Sequence, residues 1–137
     1  MRVHGGQVAL PGGKREAEDA DPLSTALRET YEEIGLAPSE VDVLGVLDDC
    51  VTVTGFTVTP YVGWIPKPFQ PAPLATEVAR VFAAPLAAFE APPRAISVAW
   101  GPAKRIVLSY EAAGEIVWGA TASILHNFVE LYLKLEA

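Results

Sequence analysis

Residues 21–35, DPLSTALRETYEEIG, constrain the fold of this chain more than any other stretch. Asp21 suits a helix cap and Pro22 the first helical position. Leu23, Ala26, Leu27, Tyr31 and Ile34 then recur at helical spacing. Gly35 suits the residue that ends a helix. The pattern predicts a helix over 22–34. Glu29, Glu32 and Glu33 stand at i, i+3 and i+4, on one face and away from the apolar residues. The expectation is an amphipathic helix whose wet side presents three carboxylates.

Like charges at that spacing repel by on the order of a few tenths of a kcal/mol per pair. A cation between them offsets the cost, and oxygen ligands suit Mg²⁺ or Mn²⁺. The plain alternative is a solvated acidic face. The approach to the helix weakens that alternative. Gly12-Gly13 ends a short extended run (7–10), and an acidic loop with Glu16, Glu18 and Asp19 follows. Glycines there let the backbone come close to a metal or a phosphate.

The rest of the chain sets bounds. Its 137 residues suit one domain over 1–137. A formal charge of −7 argues against a nucleic-acid backbone binder, but not against a phosphate-bearing small molecule held through a divalent metal. One cysteine, Cys50, excludes an internal disulfide framework and points to a reducing, cytoplasmic setting. No apolar run has the length of a signal core or a membrane span. Strands are expected over 42–49, in two runs within 51–65 that turn near Thr54-Gly55, over 78–82, and at 95–100, 105–110 and 115–118. Residues 66–76 read as a proline-rich loop and 85–89 as one helical turn. A second helix over 120–135 places Ile124, Phe128, Leu131 and Leu135 on one stripe. Asp48-Asp49 reads as a solvated turn, Cys50 as a buried small residue and His126 as packing or surface. The class is α+β, with helices on a mixed sheet.

The run GGKREAEDADPLSTALRETYEEIGL resembles the Nudix box, G-x5-E-x7-R-E-U-x-E-E-x-G-U, with U aliphatic. Gly13, Arg28, Glu29, Glu32, Glu33, Gly35 and Leu36 match it. Asp19 replaces the first Glu, eight residues rather than seven separate it from Arg28, and Thr30 takes an aliphatic position. The flanking RVHGGQVALPGGK looks like the approach to the box in coenzyme A pyrophosphatases, through Arg2, Gly6 and Pro11-Gly12-Gly13, with Leu10 in place of Phe. GFTVTPYVG, TEVARVFAAPLAAF and IVWGATASILHNF resemble later parts of that branch, so the likeness covers nearly the whole chain.

The resemblance implies a Nudix-like α/β/α sandwich with a mixed sheet, lacking the first strands that members carry before the Arg2 position. A partner chain such as a second copy in a homodimer, a rearranged fold, or a longer parent protein would each account for the gap. It implies water attack on a pyrophosphate, with Mg²⁺ or Mn²⁺ held by Glu29, Glu32, Glu33 and the Gly13 carbonyl. Glu77 is implied as a downstream metal carboxylate. Glu29 or a loop carboxylate would orient or deprotonate the water, and Arg28 with Asp19 would brace the loop. Arg2, Gly12 and Gly13 would meet the substrate phosphates, and Trp64 and Phe69 are the aromatic candidates for ligand contact. The implied substrate is coenzyme A or an acyl derivative, giving adenosine 3′,5′-bisphosphate and 4′-phosphopantetheine. Two alternatives stay open: the same chemistry on ADP-ribose or another nucleotide, and a truncated module that binds without turnover.

Overall fold

The computed structural model describes residues 1–4, 7–52, 55–74 and 78–136. In chain order the elements are β1 (Arg2–His4), β2 (Gln7–Ala9), α1 (Pro22–Ile34), β3 (Asp42–Val46), β4 (Cys50–Val51), β5 (Thr57–Val58), β6 (Tyr61–Trp64), β7 (Arg80–Val81), β8 (Arg94–Trp100), β9 (Ala103–Ala112), β10 (Glu115–Trp118) and α2 (Gly119–Glu136). Short 3-10 turns lie at Pro38–Glu40 and Leu86–Phe89, the second where one helical turn was expected. The chain divides into two compact units, Met1–Asp49 with Thr59–Phe82, and Cys50–Val58 with Ala83–Ala137.

The α+β class holds, and among the described residues the strands pair as β2-β1-β7, β3-β6, β4-β5 and β10-β9-β8. Every strand pairing among the described residues is antiparallel, where a mixed sheet was expected. Several strands are shorter than their sequence pattern. The 42–49 run stops at Val46, and the 78–82 run pairs only through Arg80–Val81. Pro60 interrupts the second half of 51–65, because proline brings no N–H to a ladder; its carbonyl accepts from the Leu47 N–H instead. Asp49, expected as a solvated turn, accepts a bond from the Thr59 hydroxyl at 2.8 Å.

In the first unit β1 is the central strand, with Arg2 opposite Ala9 on one side and Val81 on the other. Among the described residues Val8, Ile34, Leu36, Val78 and Phe82 are buried apolar residues. Helix α1 begins and ends as its sequence requires. The Asp21 carboxylate accepts from the Ser24 N–H and hydroxyl, both at 2.8 Å. Gly35 takes φ +81°, which an L side chain would strain, and its N–H closes on the Tyr31 carbonyl. The loop containing Ala72 and Leu74 then covers the helix end, the two N–H groups donating to the Ile34 and Glu33 carbonyls. Carbonyls left over in the last helical turn are thereby satisfied.

The expected division of α1 into dry and wet faces is corrected. Tyr31, placed on the apolar stripe, is 53% exposed, whereas Glu33 is 7% exposed and Thr25 is also buried. The cause is what crosses the helix. Strand β1 brings Arg2 onto Glu33, and the loop after β2 brings the Gly12 N–H there. The Glu33 end of the acidic face is thereby covered, while Glu32 stays open.

In the second unit α2 packs on β4, β9, β10 and the Leu86–Phe89 turn. Its buried residues are Ala122, Ile124 and Val129. Leu131 and Leu135 are exposed, so the expected stripe holds only in the first part of the helix. Cys50 is half-buried rather than buried. Phe89 stands edge-on to Tyr110 with centroids 5.4 Å apart. His126 is more than packing: Nδ1 lies 2.8 Å from the Tyr110 hydroxyl and Nε2 lies 3.1 Å from Glu130.

Two guanidinium groups hold the loop from Lys14 to Ala20: Arg15 donates to the Asp19 and Ala20 carbonyls at 3.3 and 2.9 Å, and Arg28 ties the loop to the helix. Arg28 Nε and Nη2 donate to the two Asp19 oxygens at 2.9 and 3.0 Å, a planar fork on a carboxylate. Asp19 also accepts from the Glu16 N–H and the Thr25 hydroxyl. The hydrogen bonds from Arg28 hold the Asp19 carboxyl well below the usual aspartate range, and Asp19 in turn raises the Arg28 pKa.

A carboxyl with a lowered folded pKa adds stability that is present above the ordinary aspartate range and lost as pH falls through the folded value. Asp19→Asn should therefore lower stability at neutral pH and flatten the further loss below about pH 4, as read from urea midpoints across that range. Phe89→Ala should cost about 3–5 kcal/mol, while Leu44→Ala, at a site 66% exposed, should stay within about 0.5 kcal/mol, both by urea denaturation.

Candidate active site

The first unit brings several charged side chains together where the loop after β2 meets α1. Gly13 is needed for space. A Cβ there would lie 2.7 Å from Glu29 Cδ and Oε1, so glycine lets the Glu29 carboxylate reach the backbone. Gly12 contributes differently. A Cβ on it would meet nothing within 4 Å, but its N–H donates to Glu33 Oε1 at 3.3 Å. Arg28, fixed on Asp19, turns Nη1 to Glu29 and Glu32, each at 3.1 Å, and donates from Nη2 to the Lys14 carbonyl. Glu16 lies 3.7 Å from the same guanidinium.

Among the described residues, ion pairs join acids and guanidinium groups at this junction. Glu16, Asp19, Glu29, Glu32 and Glu33 face the two guanidinium groups of Arg28 and Arg2. Burial pushes the Glu33 carboxyl upward, Arg2 and the Gly12 N–H oppose that, and neighbouring Glu29 adds to the rise. Glu33 Oε2 and Arg2 Nε touch as an ion pair, yet each is buried without an aligned hydrogen bond.

A divalent cation fits this donor set. Glu29 and Glu33 are adjacent hard-oxygen ligands that repel one another, one oxygen of Glu33 lacks a hydrogen bond, and glycine clears the approach. Glu32 is the open member, its side chain 53% exposed. Among the described residues no three acidic, histidine or cysteine side chains converge on a single point. Glu29 and Glu33 are the adjacent pair of hard-oxygen groups beside the Gly12-Gly13 backbone, and Glu32 shares the Arg28 Nη1 contact with Glu29.

Arg2, expected at substrate phosphates, lies on Glu33. Glu77 is outside the described residues. Trp64 is exposed and Phe69 half-buried. Thr25 was missed, although it precedes Glu29 by four residues and so shares its face. The meeting of Arg2 with Glu33 spans 31 positions of sequence and has no local signal. The same is true of the 72–74 segment on the helix end.

The family model described as NUDIX domain matches residues 2–104. An uncharacterised Nudix hydrolase NudL of Cronobacter sakazakii is 49% identical over 87 residues, covering 64% of this chain and 45% of the relative. Its namesake in Pectobacterium atrosepticum is 40% identical over 130 residues, covering 93% of this chain and 67% of the relative. That of Salmonella newport is 43% identical over 137 residues, with the same two coverages. The chain thus spans about half to two thirds of the length of these curated relatives. The match over residues 2–104 contains the Gly13 loop, the Arg28–Asp19 fork and the acid pair of α1, and on this ground the chain belongs to the Nudix domain family.

Proposed function

We propose that this chain is a divalent-metal-dependent Nudix pyrophosphohydrolase acting on coenzyme A or acyl-coenzyme A. The products are adenosine 3′,5′-bisphosphate and 4′-phosphopantetheine. One observation carries the hydrolase reading: Glu29 and Glu33 are neighbouring carboxylates against the Gly12-Gly13 backbone, one half-buried and one buried, and they repel one another. The substrate rests on the likeness of Arg2 and Pro11-Gly12-Gly13 to the coenzyme A branch. A single domain over 1–137, a cytoplasmic setting and a homodimer belong to the same proposal. Among the described residues no helix is long and apolar enough to cross a membrane.

Glu29, Glu33 and the Gly13 carbonyl would hold Mg²⁺ or Mn²⁺, with Glu32 completing the set. The bound metal supplies neutralisation of phosphoryl charge and a lowered pKa for water. The chain's own work is positional. Water adds to one phosphorus while the bridging oxygen leaves with the other phosphoryl group. Glu29 orients the water or takes its proton. Arg28 keeps Glu29 and the loop in register through Asp19, and the Gly12 N–H fixes one oxygen of Glu33.

The test is coenzyme A hydrolysis by the purified chain with Mg²⁺ or Mn²⁺. Release of adenosine 3′,5′-bisphosphate should require metal. In Glu33→Gln it should fall by more than the roughly 10- to 100-fold cost of losing an outer-shell metal partner. Turnover of ADP-ribose or nucleoside triphosphates instead would move the substrate and keep the chemistry. A folded chain inactive on all of them would be a binding module.

Gly13→Ala separates positioning from folding. Gly13 has no left-handed φ, and the atoms nearest the added methyl group belong to the end of the Glu29 side chain. Stability should change by less than about 1 kcal/mol while metal-dependent hydrolysis drops, as read from thermal melts beside initial rates.

A further inference from the structure

We propose that Arg2 is an internal rival of the divalent cation: its guanidinium holds Glu33 Oε2, an oxygen the metal needs, so cation binding displaces Arg2 and Arg2 sets the metal affinity. This rests on the metal-site reading above and concerns its regulation.

The two guanidinium groups at the site are held differently. Arg28 is locked by a two-bond fork on Asp19 and a third bond to the Lys14 carbonyl. It can lose Glu29 or Glu32 and remain in place. Arg2 meets Glu33 through charge, for neither Nε nor Oε2 gains an aligned hydrogen bond. Both side chains are largely buried, with 19% and 10% exposed, so solvent screens their attraction little. A buried pair without aligned bonds recovers its desolvation cost poorly, and a divalent ion on the same oxygen is the stronger partner. The exchange needs no change of fold. Arg2 sits in the middle strand, paired with Ala9 and Val81, and only its side chain has to swing away. Glu33 keeps its backbone anchors, the Gly12 N–H on Oε1 and the Leu74 N–H on its carbonyl.

The experiment is Mn²⁺ binding to the substrate-free chain, followed by the electron paramagnetic resonance of free Mn²⁺. Wild type is compared with Arg2→Met, Arg2→Lys and Glu33→Gln. Arg2→Met should bind Mn²⁺ about tenfold more tightly than wild type. Arg2→Lys, which keeps the charge, should stay near wild type, and Glu33→Gln should bind more weakly. Mn²⁺ should also raise the melting temperature of Arg2→Met further than that of wild type. Arg2→Gln serves in the same way if Arg2→Met does not fold. Equal or weaker binding by the uncharged variants, with wild-type binding intact, overturns the rivalry and leaves the metal site standing. Equal gains in the lysine and uncharged variants also overturn it, since charge would not be the cause. No Mn²⁺ binding by wild type or by the uncharged variants would remove the metal site itself, and the rivalry with it.

Discussion

The fork of Arg28 on Asp19 is the interaction from which the rest of the site follows. A guanidinium is flat and carries fixed donors, so a bidentate hold on a carboxylate fixes orientation as well as distance. Here it ties the loop after β2 to the middle of α1. With that loop in place, Gly13 lies against Glu29 and the Gly12 N–H reaches Glu33. The third guanidinium nitrogen then meets Glu29 and Glu32 on the exposed side. One side chain thus brings loop, helix and acid cluster into a common frame.

Within that frame the protein tolerates an arrangement a stability-driven interior would avoid. Among the described residues of the first unit, the buried polar ones, Asp19, Thr25 and Glu33, belong to the loop–helix junction. Asp19 and Thr25 satisfy each other, but Glu33 is left with a raised pKa and a poorly aligned partner. Buried carboxylates of this kind cost stability and are characteristic of places where a fold serves a ligand.

Much of the junction was legible because its signals are local. Asp21-Pro22 and Gly35 bound the helix, and caps depend on a few adjacent backbone groups. The extended runs expected at 95–100, 105–110 and 115–118 fall within strands that span Arg94–Trp100, Ala103–Ala112 and Glu115–Trp118. The wet face of α1 was not legible, since periodicity shows which residues share a face but not what will lie on it. Arg2 and the 11–13 loop decided that, from another part of the chain. For the same reason Leu131 and Leu135 kept the spacing of a core stripe after their helix had passed its buried stretch. The pairing of β1 with β7 joins distant parts of the chain, and no window of residues encodes it.

The PAPL segment over the end of α1 alternates proline with residues that do carry an amide hydrogen. Ala72 and Leu74 spend theirs on the helix, and Pro71 and Pro73 have none to offer. Such a segment can finish a helix without starting a ladder, because its amide donors are already used or missing, and an incoming strand finds little to pair with. Proline rings also restrict the chain before it folds, so less conformational freedom is lost when the segment closes over the helix. The backbone beneath Glu33 is therefore tethered by a strap that resists both fraying and recruitment into intermolecular β-structure.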